Sequence, residues 1–198
     1  MKETLEDMLE EIHKLESRIS EEIEKKKKDL KYRINKHKII FEKEAISLQK
    51  KFSISLPRYM FTGNIIIYIV SPVIYSMIIP ALILDLFVSA YQYICLPVYG
   101  LPHLKRSDYI VIDRQYLKYI NLLERLNCVY CGYFNGLIAY TQEVASISEQ
   151  YWCPIKHARK LKKHHDRYYQ FIDYGNAEDY RKGLNRLRNK LKEEFDIH

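Results

Sequence analysis

The 198-residue sequence predicts an all-α fold with a long N-terminal helix, a membrane-embedded segment and a small C-terminal helical bundle. The first observation is that charge falls in blocks. Residues 1–24 carry net −6, residues 25–58 net +9 and residues 105–198 net +5, whereas residues 59–104 contain a single charged side chain. The second is that apolar residues outside that uncharged block recur every three or four positions, the period of an amphipathic helix. These blocks predict domains at 1–52, 59–104 and 105–198.

Residues 1–52 are expected to form a coiled-coil arm. No proline or glycine occurs before Pro57, so one helix of about 50 residues, about 75 Å long, is permitted. The apolar stripe changes register at a four-residue step from Ile19 to Ile23, a stutter that leaves a helix continuous. Its members are Leu5, Met8, Ile12, Leu15 and Ile19, then Leu30, Ile34, Phe41, Ala45 and Leu48. A helix cannot bury its own stripe, so we expect a partner: most simply a second copy in a parallel homo-oligomer, alternatively another helical protein or the C-terminal helices of the same chain. A solvated helix is the simpler interpretation.

Residues 59–104 are predicted to lie in a membrane. Tyr59 to Leu84 is a run of 26 residues without a formal charge, and about 20 such residues span the hydrocarbon core. The branched apolar side chains of this run favour insertion by about 4–7 kcal/mol. This gain is larger than the cost of about 2.5–3.5 kcal/mol for Asp85 at the bilayer centre. The balance favours insertion.

Two topologies fit this segment. A fold near Pro80 gives a helical hairpin that returns to the cytoplasmic face, and basic residues on both flanks favour it. A single span that ends near Val88 is the alternative. The opening "MKETLEDMLEEIHKLE" has no apolar signal region, so we expect the arm, and with a hairpin also the C-terminal domain, on the cytoplasmic side. The flanking basic residues would attract anionic lipids, and the absence of a nucleic-acid-binding motif disfavours nucleic acid as a partner.

Asp85 is the ionisable residue within the apolar segment. The simpler interpretation is a carboxylate at the membrane interface or the mouth of the hairpin. The functional alternative is a group on a proton or ion path, which intramembrane acids often mark.

Four helices are predicted in residues 105–198, which suggests a small antiparallel bundle. Asp113 could cap the first helix, and the second extends from Tyr133 to Trp152. Cys153 could cap a third that continues to about Tyr174, because Pro154 is favoured as a first helical residue. Asn176 is expected to cap the fourth.

Three cysteines and one histidine in this domain have the spacing of metal ligands. They are Cys128 and Cys131 in "NCVYCG", and Cys153 and His157 in "WCPIKH". Three thiolates and an imidazole are typical of a structural zinc site, with a net charge of −1. Nearby cations that could offset this charge and bond to sulfur are Lys156, Arg159 and Lys160.

The segment between the two ligand pairs is the difficulty for this site. A straight helix of about 20 residues would be about 30 Å long, so the pairs would need a bend near Gly136 or a second, antiparallel chain to meet. Iron, an iron–sulfur cluster, a redox dithiol at Cys128 and Cys131 and ordinary buried cysteines are alternatives. The sequence shows no Gly-rich phosphate loop, nucleophile elbow or zinc-protease motif.

The motif "LNCVYCGYFNGLIAY…EQYWCPIKHAR" resembles a family of uncharacterised bacterial membrane proteins over about residues 100–195. The resemblance implies that the three cysteines and His157 form its motif, and it implies no activity. The sequence thus favours a membrane-anchored scaffold or interaction protein with a Cys3His site on the cytoplasmic face. A membrane-bound thiol or iron–sulfur redox protein is the first alternative, and an ion-path component that uses Asp85 is the second.

Overall fold

The computed structural model describes residues 2–35 and 38–196 and is 73% helical, which confirms the predominantly α fold. Its helices are α1 (Lys2–Asp29), α2 (Lys43–Lys51), α3 (Leu56–Thr62), α4 (Ile65–Ser76), α5 (Ile78–Val98), α6 (Arg106–Tyr109), α7 (Leu122–Trp152) and α8 (Ala177–Asp196). Its strands are β1 (Tyr32–Asn35) and β2 (Lys38–Phe41). The chain divides into two units. The first comprises the chain up to Gly63 with Asp113–Val129, and the second comprises Asn64–Ile112 with the chain from Tyr130 onward.

The expected 50-residue arm helix ends at Asp29 instead. Lys31 has a positive φ of 53°, and an antiparallel hairpin follows in which Tyr32 lies opposite Phe41. The two aromatic rings lie 5.6 Å apart, and such cross-strand pairs stabilise a hairpin. The β-branched and aromatic residues of "YRIN" and "KIIF" favour strand pairing over a continued helix. The second register of the stripe therefore lies outside α1.

The first register of the stripe remains on α1 and is exposed. Its described members are Met8, Ile12, Leu15 and Ile19; these four and Ile23, which follows the four-residue step, each have 48–59% of their surface accessible. All residues from 10 to 26 are exposed. Within the single chain nothing described covers this stripe, so a coiled-coil partner stays a prediction.

The core of the second unit lies among α5, α7 and α8. One cluster of buried residues joins the C-terminal ends of α5 and α7 to α8: Leu96, Tyr99, Leu101, Ile147 and Leu191. A second cluster joins α5 to the middle of α7: Ala81, Leu137, Tyr140 and Val144. The apolar segment and the C-terminal helices therefore share one core, although the charge blocks placed them in separate domains.

Helix α7 replaces the first two helices predicted in the C-terminal domain. Asn121 caps it: the Asn121 Oδ1 atom accepts from the backbone N–H groups of Leu123 and Glu124, at 3.0 Å each. The Glu124 carboxylate accepts in return from the Asn121 N–H at 2.8 Å, which completes a capping box. The predicted cap at Asp113 is wrong, since only a 3₁₀ turn (Arg114–Tyr116) follows it.

The predicted third helix, from Cys153 to Tyr174, is also not present. Ile155 and Ile172 pair as an isolated bridge, and only Asp166–Gln170 forms a short 3₁₀ turn. The Pro154 carbonyl accepts a hydrogen bond from the Ile172 N–H at 2.9 Å. The predicted cap at Asn176 is confirmed, because its Oδ1 atom accepts from the Asp179 N–H at 3.1 Å at the start of α8.

Arg167 holds this irregular segment against the helices. Its guanidinium, with 10% of the side chain exposed, donates to Glu143 of α7 at 2.9 Å and to Glu194 of α8 at 2.6 Å. Burial lowers the pKa of Arg167, but the bonds to the two carboxylates outweigh it and the pKa is raised. The side chain is therefore charged and links three parts of the second unit.

Candidate functional site: the apolar helix and its ion pair

Among the residues that the structure describes, one helix is long and apolar enough to cross a membrane: Ile65–Val98, which combines α4 and α5. Its 34 residues measure about 51 Å. Only 6% of the most apolar stretch of this helix is buried. Met77 joins the two parts in a right-handed helical conformation, with φ −62° and ψ −14°. The chain does not reverse near Pro80, so the expected hairpin is not confirmed. The single-span alternative agrees with the one apolar helix.

Helix α4 presents apolar side chains all round and contains no buried residue. Ile65, Ile69 and Val73 each have 70% of their surface exposed. Soluble monomers rarely expose contiguous apolar surface of this kind, and such surface marks contact with a membrane or a protein.

Asp85 lies in α5, one helical turn after Ala81. It has partners that the sequence did not indicate. The Nε atom of Arg106 donates to its Oδ1 atom at 2.9 Å, and the second Arg106 nitrogen donates to Oδ2. The Tyr133 hydroxyl donates to Oδ2 at 2.9 Å, and Ser89 donates to Oδ1 at 3.4 Å. Only 13% of the Asp85 side chain is exposed, against 44% for Arg106. The bond to Asp85 raises the pKa of Arg106, so its charge persists.

A segment that folds back from the end of α5 places Arg106 beside Asp85. Gly100, with φ +74°, reverses the chain. The Gln92 side chain then binds the Leu104 backbone in both directions, accepting from its N–H at 3.0 Å and donating to its carbonyl at 3.2 Å. This amide pair sets the register that brings Arg106 to the level of Asp85.

The same segment continues into a close contact with α7. A β-carbon at Gly136 would lie 2.6 Å from the Tyr109 carbonyl oxygen and 2.7 Å from the Ile110 α-carbon. Gly136 therefore permits close packing within a continuous helix, and α7 does not bend there to bring the two predicted ligand pairs together. Burial of the Tyr109 phenol raises its pKa to about 12.

Tyr130 connects α7 to the apolar helix at its irregular point. Its hydroxyl donates to the Ile74 carbonyl at 2.7 Å, and its ring meets that of Tyr75 edge-on at 5.6 Å. A helix in lipid needs internal partners wherever its own hydrogen bonding weakens. The stretch of α7 from 130 to 142 carries no charge, which suits a position beside an apolar helix.

The structure does not bring the predicted metal ligands together. Cys128 and Cys131 lie within α7, and Cys153 follows its last residue. The 22 residues from Cys131 to Cys153 correspond to about 33 Å of helix. In the described parts of the chain, no three His, Cys, Asp or Glu side chains lie close enough to hold a metal ion. Zinc binding within one chain is therefore not supported, and the antiparallel two-chain arrangement stays a prediction.

The other residues of the predicted site have different surroundings. The His157 N–H donates to the Tyr168 hydroxyl at 2.7 Å, and the His157 and Tyr168 rings stack. Lys156 pairs with Asp173 at 2.8 Å. Arg159 and Lys160 are exposed.

Arg106 and Tyr133 are the residues of this site that sequence reasoning missed. Neither has a motif, and each lies more than twenty positions from Asp85. Comparison with known proteins gives no further assignment, since no protein family, curated protein or solved structure matches the chain. The resemblance to a bacterial membrane family therefore stays a prediction.

Proposed function

We propose that this protein is a membrane-anchored interaction protein, held in the bilayer by Ile65–Leu84. The observation that carries the proposal is the apolar helix whose side chains the protein leaves uncovered. In water such a surface would aggregate, whereas in lipid it is solvated.

The position of the Asp85–Arg106 ion pair supports Leu84 as the last residue of the proposed anchor. Ile65 to Leu84 is twenty residues, about 30 Å of helix, which equals the thickness of the hydrocarbon core. Asp85 comes next, and Arg106 neutralises it there. Asn64 caps the other end, where its side chain accepts from the Ile66 N–H at 3.0 Å. Asp85 then acts as a structural boundary residue, and its pairing with Arg106 favours this role over the ion-path alternative.

The interaction part of the proposal rests on α1, whose exposed apolar stripe needs a partner. The placement of the arm and of residues 105–198 on the cytoplasmic side stays a prediction. The first unit contains residues 113–129 as well as the chain up to Gly63, so parts of the chain before and after the apolar helix belong together and the topology needs its own measurement. The attraction of the flanking basic residues to anionic lipids is likewise part of the proposal.

Flotation of the full-length protein with lipid vesicles, followed by alkaline extraction, tests the anchor. The wild-type chain is expected to float and to resist extraction. The variant Ile69→Asp/Val73→Asp places two carboxylates on exposed positions of α4, where each costs about 2.5–3.5 kcal/mol in the membrane. We expect it to be extracted.

A matched control comes from α8, where Asn185 and Asn189 are exposed and also four residues apart. Asn185→Asp/Asn189→Asp adds the same charge at the same spacing and is expected to float like wild type. Wild-type protein that stays soluble, or Ile69→Asp/Val73→Asp protein that still resists extraction, would overturn the proposed anchor.

A further inference from the structure

The charge distribution along α1 favours pairing with an inverted copy of itself. Residues 2–11 carry five acidic and one basic side chain, whereas residues 25–28 are four lysines. In a parallel dimer the two acidic ends would face each other, and so would the two lysine runs. In an antiparallel dimer each acidic end would face the lysine run of the other copy, and flanking charges of this kind determine helix orientation in coiled coils.

The apolar stripe fits the same arrangement. Antiparallel pairing centred on Leu15 places Met8 of one copy opposite Ile23 of the other, and Ile12 opposite Ile19. Leu15 lies opposite the central turn of the other copy. All five side chains are exposed in the single chain. The same register places residues 3–6 opposite residues 28–25, so the apolar and charge patterns agree on one alignment.

We infer that α1 forms an antiparallel dimer with a second copy of this chain, through its Met8–Ile23 stripe. The interface is isologous, because two-fold symmetry places the same surface of both copies in contact. This inference deepens the proposed function by naming the partner of the arm. It also changes the orientation from the parallel one that the heptad spacing first suggested. The break at Asp29 is essential, because α1 ends directly after the lysine run and presents one acidic and one basic end.

Zero-length cross-linking of carboxylates to amines measures the orientation. Full-length protein in detergent micelles is mixed from ¹⁴N- and ¹⁵N-labelled batches, cross-linked and mapped by mass spectrometry. Mixed-isotope links between residues 3–11 and Lys25–Lys28 are expected. Links that occur only in same-isotope form report contacts within one chain, such as Lys25 with Glu22 at 2.8 Å. In a parallel dimer residues 3–11 and 25–28 would lie about 21–37 Å apart, too far for such links.

A variant tests the stripe itself. Leu15→Glu places two carboxylates at the centre of the interface and is expected to raise the dimer dissociation constant at least tenfold in sedimentation equilibrium. Ser17→Glu adds the same charge on the opposite face of α1 and is expected to stay within twofold of wild type.

Three results would overturn the inference: a monomeric wild type, mixed-isotope links confined to equivalent ends, and a Leu15→Glu dimer as tight as wild type. An amphipathic α1 that lies on lipid instead would leave the protein without mixed-isotope links. Vesicle flotation of Leu15→Glu separates the two proposals, since loss of the dimer leaves the apolar helix and its membrane binding unchanged.

Discussion

Arg106 is half-exposed, yet removal of its charge is expected to destabilise the second unit more than the loss of an ordinary surface charge would. Arg106→Met keeps an apolar stem of similar length but leaves Asp85 with only Tyr133 and Ser89 as partners. The carboxylate is 87% covered, since only 13% of its side chain is exposed, and it lies within the apolar helix Ile65–Val98. An unpaired charge at this place is costly.

The magnitude follows from the burial of the two partners. Breaking a fully buried pair costs about 3–5 kcal/mol, and an exposed pair contributes about 0.2–1 kcal/mol. Asp85 is nearly buried and Arg106 is half-exposed, so Arg106→Met is expected to cost about 2 kcal/mol, or about 30-fold in the unfolding equilibrium. Asp85→Asn keeps a hydrogen-bonding group and leaves Arg106 able to reach water, so it should cost less, about 1 kcal/mol.

A double-mutant cycle in detergent micelles measures the coupling. Free energies of unfolding for the wild type, the two single variants and Arg106→Met/Asp85→Asn should give a coupling energy of about 1 kcal/mol or more. Lys105→Met removes a neighbouring exposed cation and should change stability by less than about 0.5 kcal/mol. Equal effects of Arg106→Met and Lys105→Met, or a coupling energy near zero, would refute the argument that this ion pair stabilises the helix boundary.

Three further predictions concern the second unit. Gly136→Ala puts a methyl group 2.6 Å from a backbone oxygen, so we expect a loss of about 1–3 kcal/mol in denaturant unfolding; unchanged stability would show that the contact is not close. Arg167→Met leaves two carboxylates unpaired across α7 and α8, with an expected cost of about 3 kcal/mol and faster proteolysis after Trp152; resistance equal to wild type would contradict this. Because Cys131 and Cys153 are about 33 Å apart, a monomeric fraction should hold no stoichiometric zinc, and one tightly bound zinc per monomer would show that α7 bends.

The sequence was sufficient where a single local pattern decides the structure. The uncharged run from Tyr59 to Leu84 predicted the apolar helix, and the Asn176 cap predicted the start of α8. The sequence also contains the capping box Asn-x-x-Glu at Asn121 that marks the start of α7, yet the cap predicted at Asp113 placed that helix too early.

Tertiary contacts decided the rest. The helix predicted from Cys153 has a favourable first turn, but the pairing of Ile155 with Ile172 prevails over it. The spacing of the four cysteine and histidine positions suggested a metal site. Spacing alone does not show that α7 continues through Gly132 and Gly136, and this continuity keeps Cys131 and Cys153 apart. No sequence pattern could connect Arg106 to Asp85, since the connection depends on the reversal at Gly100 and on the amide of Gln92.

The depth of α4 in a bilayer tests the membrane anchor most directly. The chain has a single tryptophan, Trp152, so Val73→Trp in a Trp152→Phe background gives one fluorophore at an exposed position of α4. In vesicles whose lipids carry bromine at mid-chain, we predict strong quenching of this fluorescence. Ser17→Trp in the same background should be quenched only by an aqueous quencher. Equal access of the aqueous quencher to both positions, without an effect of the brominated lipids, would contradict a membrane-embedded α4.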